Sequence, residues 1–205
     1  MRLRTAALLF LALIAAQAAV VFLMVRFGAV FLVPFILLLS FTMAIFFVST
    51  AWSVFTGAPF VPTDARNVDL MLRAAGVRPG DRVADLGSGD GRIVVAAAKA
   101  GAIAEGWEIS PYLWLLSWWN VRRAGVEERA QVHLGSYWDR TFRETDVVTL
   151  FLITHHMPRM REKLRAELPP GARVVSYVFR FPEWPIADAP GKGVYVYNID
   201  DLRSL

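Results

Sequence analysis

The 205-residue chain contains no cysteine. Disulfides, thiolate-bound zinc and thiol nucleophiles are excluded together, and no metal centre is expected. Acidic residues are missing from one end: residues 1–52 hold Arg2, Arg4 and Arg26 but neither Asp nor Glu. Of the 22 basic side chains that leaves 19 to face 18 acidic ones, so the remainder of the chain is close to neutral. The sequence pI near 9.8 therefore has no basic stripe behind it, and nucleic acid is not expected as a partner. No internal repeat is visible either.

What fills the acid-free end is apolar. Thr5 to Val25 and Ala29 to Trp52 carry no formal charge, and each exceeds the roughly 20 helical residues needed to cross a hydrocarbon core. Only Arg26-Phe27-Gly28 joins them, so the second helix is expected to return beside the first. Ala12, Ala15, Ala16 and Ala19 would let the two pack closely, with Gln17, Ser40 and Thr42 finding partners inside the pair, and Pro34 is expected to kink the second. The expectation is a two-helix transmembrane hairpin over residues 1–52. It implies an integral, two-pass protein in the lipid bilayer of a bacterial inner membrane, or of a mitochondrial one in a eukaryote. Arg2 and Arg4 put the rest of the chain on the cytosolic side. A cleaved secretory signal ending near AAQAA, followed by a stop-transfer segment, gives the same orientation. Burial of both runs in a soluble core is a third reading.

Residues 53–62 (SVFTGAPFVP) read as a linker, and residues 63–205 as the catalytic domain. Asp64 caps an amphipathic helix carrying Val68, Leu70, Met71, Leu72 and Ala75, which stops at Gly76. Strand patterns follow at 82–86, 104–108, 130–134, 147–153, 173–177 and 194–199, with helices at 93–100, 111–124 and 159–168 between them. Such alternation predicts an α/β fold, a mostly parallel sheet covered by helices.

Directly after the first strand stands Asp85-Leu86-Gly87-Ser88-Gly89-Asp90-Gly91-Arg92, a glycine-rich turn opening a helix. A dinucleotide loop needs a small residue where Arg92 stands and no acid near the pyrophosphate. Asp85 would repel a diphosphate but suits the ammonium of a methionine moiety. The cofactor implied is S-adenosylmethionine, which has a sulfonium and an amino group and no phosphate. Glu108, at the tip of the next strand and 21 residues beyond Gly87, stands where a carboxylate meets ribose hydroxyls. Read alone, Glu108 is a solvated strand end; with Asp85 and Gly87, Ser88, Gly89 and Gly91 it completes a cofactor site.

These residues carry a resemblance. Val61-Pro62-Thr63, the Asp85 to Arg92 loop, and LRAELPPGARVVSYVFRFPEWP are similar to the small lysine methyltransferases that act on the mitochondrial ADP/ATP carrier and on the membrane-ring protein of ATP synthase, and to their bacterial relatives, over about residues 59–198. The resemblance implies a Rossmann-like class I methyltransferase sheet behind the hairpin, with Thr63 and the glycine loop holding the methionine end of the cofactor. Gly135-Ser136 stands where such proteins typically have Gly-Asp, leaving Ser136 to meet the adenine edge.

Methyl transfer requires an unprotonated nucleophile held close to the methyl group. The polar groups after the fourth strand, Thr154, His155 and His156, are the catalytic candidates; a histidine there can take a proton or orient an amine, and the same pair can equally cap a helix. No Asp/Asn-Pro-Pro-aromatic signature follows that strand, which counts against adenine or glutamine amide methylation. Trp107, Trp114, Trp118 and Trp119 read as core packing before a membrane-interface belt or a cation cage. Trp184 and Tyr195 line the substrate mouth only by the resemblance. Three functions follow: a methyltransferase acting on lysine side chains of a membrane protein, one acting on a lipid headgroup or quinone, and a cofactor-binding membrane module without turnover.

Overall fold

The computed structural model describes residues 14–23, 25–26, 32–56 and 60–204. The chain divides into two compact units, residues 1–48 and 49–205. Residues 14–23 are helical, and helix α1 spans Leu32–Thr56, extending through Ser53–Thr56 of the stretch read as a linker. Pro34 stands in the first turn of α1, where no intrahelical amide bond is lost, so it does not interrupt the helix.

The transmembrane hairpin is the expectation that changes. Among the described residues, no helix is long and apolar enough to cross a membrane. Much of the first expected span, and the Phe27-Gly28 connection, lie outside the described residues. The integral two-pass location is corrected accordingly.

The second unit is a seven-stranded sheet of order β3-β2-β1-β4-β5-β7-β6. Its strands are β1 Arg82–Leu86, β2 Ile103–Glu108, β3 Ala130–Leu134, β4 Val147–Leu150, β5 Arg173–Tyr177, β6 Asp188–Gly191 and β7 Val194–Asn198. The first five run parallel, and β7 inserts antiparallel between β5 and β6. Helices α2 Ala65–Ala74, α3 Arg92–Lys99, α4 Pro111–Ala124, α5 Met157–Glu167 and α6 Ile199–Arg203 complete it. Asp64 caps α2 as expected, accepting from the Asn67 amide at 3.0 Å. Ser110 caps α4, whose Pro111 occupies the first turn and whose end turns at Gly125.

Alternation of side chains along the strands builds two cores. On one face Val83, Ala104, Val147 and Val175 pack with Met71 of α2, Val94 and Ala97 of α3 and Val121 of α4. On the other, Ala84, Leu86, Val148, Leu150 and Val174 pack with Met157, Met160 and Leu164 of α5 and with Ile199 and Leu202 of α6. Gly106 in β2 has no room for a side chain: a Cβ would stand 2.7 Å from Ser88 Cβ and 2.7 Å from Val94 Cγ2. Between β3 and β4 the described chain has only the 3-10 turn Tyr137–Asp139.

Candidate active site

Ligands of open α/β sheets sit outside the carboxyl ends of the parallel strands, and a cavity of about 280 Å³ lies there. Its wall gathers residues from segments far apart in sequence: Thr63 before α2, Asp85 near the end of β1, Gly87, Ser88 and Gly89 after it, Glu108 at the tip of β2, and Ser136 after β3. Seven of the eight residues expected to bind the cofactor therefore share one cavity. Gly91 stands behind it, at φ 77, as the start of α3.

Two buried carboxylates dominate the polar end. Asp85 is 3% exposed and accepts a hydrogen bond from Thr149 Oγ1 at 2.8 Å. Burial pushes its carboxyl up to about 7; the Thr149 bond opposes this, while Glu108 and Asp90 add repulsion. Glu108 also lies above the usual carboxylate range because of burial, against the backbone amides that favour its charged form. It accepts from Gly89 N at 2.9 Å and Ser110 N at 2.8 Å, tying the glycine loop to the start of α4. Two carboxylates held this close in a cavity are matched by a cation with hydroxyl donors and disfavour a phosphate.

Arg92, the residue incompatible with a dinucleotide loop, has a structural task here. Its guanidinium pairs with Asp90 and donates to the Thr63 carbonyl, fastening the segment before α2 to the glycine loop. Asn120 Nδ2 of α4 donates to the Asp90 carbonyl at 2.8 Å. On this side Phe60 lies against Gly89, where a side chain on the glycine would collide with the ring. Ser88 Oγ is buried without a hydrogen-bond partner. Ser136 Oγ accepts from Trp138 N at 3.2 Å, holding Tyr137 and Trp138 against the cavity; burial pushes the Tyr137 hydroxyl up to about 12.

The candidate catalytic residues stand differently. Thr154, His155 and His156 form a 3-10 turn just beyond Ile153, which lines the cavity, and none of the three is in its wall. His156 is 6.0 Å from the Trp138 ring and 4.1 Å from His155. Burial, then His155 and Arg159, holds its imidazole below the usual histidine range. Phe151 and Ile153, following β4, and Phe179, following β5, form the far end of the cavity. Phe179 lies within the stretch LRAELPPGARVVSYVFRFPEWP, but neither phenylalanine has a polar or titratable group that marks it for chemistry in the sequence. Trp184, by contrast, is packed with Phe181 and Tyr197 and donates to the Asn198 carbonyl, so it belongs to the core. Tyr195 lies under the Arg180 guanidinium at 4.6 Å and is not in the cavity wall. Of the other tryptophans, Trp107 is in the core, Trp114 is half-buried with its indole donating to the Val132 carbonyl, and Trp119 is exposed.

Residues 85–188 match the ANTKMT methyltransferase domain. The lysine N-methyltransferase of Rattus norvegicus that is named for the c subunit of ATP synthase is 39% identical over 149 residues, 71% of this chain and 68% of the rat protein. The adenine nucleotide translocase lysine N-methyltransferase of Mus musculus is 39% identical over 145 residues, 69% of this chain and 63% of the mouse protein. Among solved structures, an RNA methyltransferase from Salinibacter ruber in complex with S-adenosyl-L-homocysteine is 38% identical, with a TM-score of 0.65, covering 68% of this chain and 94% of that one. The cavity with its paired carboxylates, the sheet order and these likenesses agree: the chain belongs to the ANTKMT methyltransferase domain family and is an S-adenosylmethionine-dependent methyltransferase.

Proposed function

We propose that the protein methylates lysine side chains of a membrane protein. The supporting observation is that relatives covering about two thirds of this chain are named for lysine methylation of an ATP synthase component and of the adenine nucleotide translocase. The division into residues 1–52, a linker at 53–62 and a catalytic domain at 63–205 is part of the same reading.

When bound, S-adenosylmethionine supplies an electrophilic methyl group on a sulfonium. Asp85 receives its ammonium, Glu108 its ribose hydroxyls, Ser136 and Tyr137 its adenine edge, and Thr63 with Gly87, Ser88, Gly89 and Gly91 shape the loop around the methionine end. A lysine amine, with an ordinary pKa near 10.4, must arrive without its proton. The apolar wall formed by Phe151, Ile153 and Phe179 disfavours the ammonium form by desolvation. His156, held toward its neutral form in the turn just beyond Ile153, takes the proton that the newly methylated ammonium releases, with Thr154 and His155 shaping the same turn.

The test is incubation of membranes from a strain lacking the gene with purified protein and isotopically labelled S-adenosylmethionine, followed by mass spectrometry of labelled peptides. Label on lysine is the expected result. Label confined to the lipid extract overturns the reading and selects a lipid headgroup or quinone as acceptor.

A further inference from the structure

The cavity has two chemically distinct ends, and the cofactor accounts for one. Asp85 and Glu108 stand at the carboxyl ends of β1 and β2 and Ser136 follows β3; Phe151 and Phe179 follow β4 and β5. The second end contains an unusual piece of backbone. Val178 adopts φ 71, a conformation that β-branched residues rarely take, and Phe179 N donates to the Tyr177 carbonyl at 2.9 Å, closing a three-residue γ-turn. Val178 is 43% exposed, so its own burial does not explain the conformation.

The surrounding structure fixes the turn from both sides. Val178 N donates to the Gly193 carbonyl at 2.6 Å, and the fully buried Ser176 hydroxyl donates to the Phe179 carbonyl at 2.5 Å. What the turn delivers is the Phe179 ring, half-buried in the cavity wall 6.1 Å from Phe151. Phe151 is itself buttressed edge-on by Tyr177 at 5.1 Å. Strained backbone persists where its neighbours over-determine it, and it clusters where a side chain must be held in place for function.

We propose that Phe179, held by the Val178 turn, forms with Phe151 the wall along which the alkyl stem of the acceptor lysine lies, making Phe179 a specificity-determining residue. This inference rests on the lysine reading above. The four-carbon stem of lysine is apolar and packs on ring faces, while the same rings keep water from the amine.

The test compares Phe179→Ala, Phe179→Leu and Val178→Pro with wild type, using the membrane-protein fraction as acceptor, titrated by mass. Dissociation of S-adenosylhomocysteine is measured by calorimetry and folding by thermal unfolding. Phe179→Ala is expected to raise the apparent KM for acceptor about tenfold, with S-adenosylhomocysteine binding changed by less than about twofold. Phe179→Leu recovers part of the loss, and decides the matter if the alanine variant does not fold. Val178→Pro, whose ring forbids a positive φ and removes the amide that donates to Gly193, breaks the turn and raises KM in the same sense without weakening S-adenosylhomocysteine. An unchanged acceptor KM in Phe179→Ala, or a loss of S-adenosylhomocysteine binding as large as the rise in KM, overturns the inference; an unchanged KM in Val178→Pro overturns the role of the turn. A wild type that labels no lysine refutes the lysine reading itself, whereas labelled lysine with an indifferent Phe179 refutes only this inference.

Discussion

Thr149 and Asp85 are register partners on adjacent parallel strands, and the Thr149 hydroxyl donates 2.8 Å to Asp85 Oδ1. The threonine is fully buried, so this bond is a main counterweight to the burial that pushes Asp85 up to about 7. A carboxyl raised in the folded state holds its proton there longer than in the unfolded chain, so this group's contribution to stability declines as pH rises from about 4 to about 7. Ligand binding runs the other way, because an ammonium needs the carboxylate.

S-adenosylhomocysteine affinity is accordingly expected to increase with pH through about 7, as Asp85 ionises. Thr149→Val should move that midpoint to higher pH, and Thr149→Ser should restore it. Calorimetric titration across pH of about 5.5 to about 8.5 checks both, once the ligand's own amine, with a reference value near 8, has been titrated separately and subtracted. A midpoint unmoved by Thr149→Val argues against the pairing, and undiminished binding by Asp85→Ala would dismiss the site.

Glu108→Gln tests the same carboxylate from the other side. Glu108 raises Asp85 by repulsion, so its neutralisation should shift the pH midpoint of binding downward, opposite to Thr149→Val. Affinity should still fall, since glutamine has one acceptor oxygen for the two amides of Gly89 and Ser110. Leaving one amide unpaired costs about 1–3 kcal/mol, observable as a weaker ligand and a lower unfolding midpoint.

Two glycines of one loop should fail in different ways. At Gly91 a Cβ would meet Ser117 Cβ at 2.8 Å with φ at 77, so Gly91→Ala combines backbone strain with overpacking, about 2–4 kcal/mol in all. Gly87 has φ 83 but open space around it, so Gly87→Ala is limited to about 1–2 kcal/mol of strain. Thermal unfolding should rank Gly91→Ala as the less stable. Ligand titration should show Gly87→Ala, in the cavity wall, losing more affinity per unit of stability lost.

His156 should titrate below the usual histidine range in NMR spectra, and Arg159→Gln should raise it, because the Arg159 guanidinium repels its charged form. If His156 takes the amine's proton, His156→Asn should lower kcat by the order of 10²-fold and flatten the acid limb of the pH profile. An unaltered kcat would leave the turn a purely structural one.

The strands and helices around the cofactor were legible because their signals are local. Asp64 caps α2, the glycine loop separates β1 from α3, and Pro111 opens α4 close to where the pattern puts them. The polar half of the cavity was legible for the same reason, since Asp85 and Glu108 end strands of a parallel sheet. β6 was not, because Asp188-Ala-Pro-Gly191 has no alternation and pairs only at an edge. Phe151, Phe179 and Thr149 stood out less: no chemical signal marks them until the fold brings Phe151 and Phe179, following β4 and β5, to the cavity and the register of β1 and β4 sets Thr149 beside Asp85. Trp184 misled because an aromatic near a strand end serves a core as readily as a mouth.

Gly106 acts as a spacer gauge. With Ser88 and Val94 resting directly on its backbone, it sets the height of the cofactor loop above the sheet to the thickness of a bare peptide. One methyl group at position 106 would lift loop and helix together, so the clearance above Asp85 is governed by its own register partner on β2, a residue with no side chain.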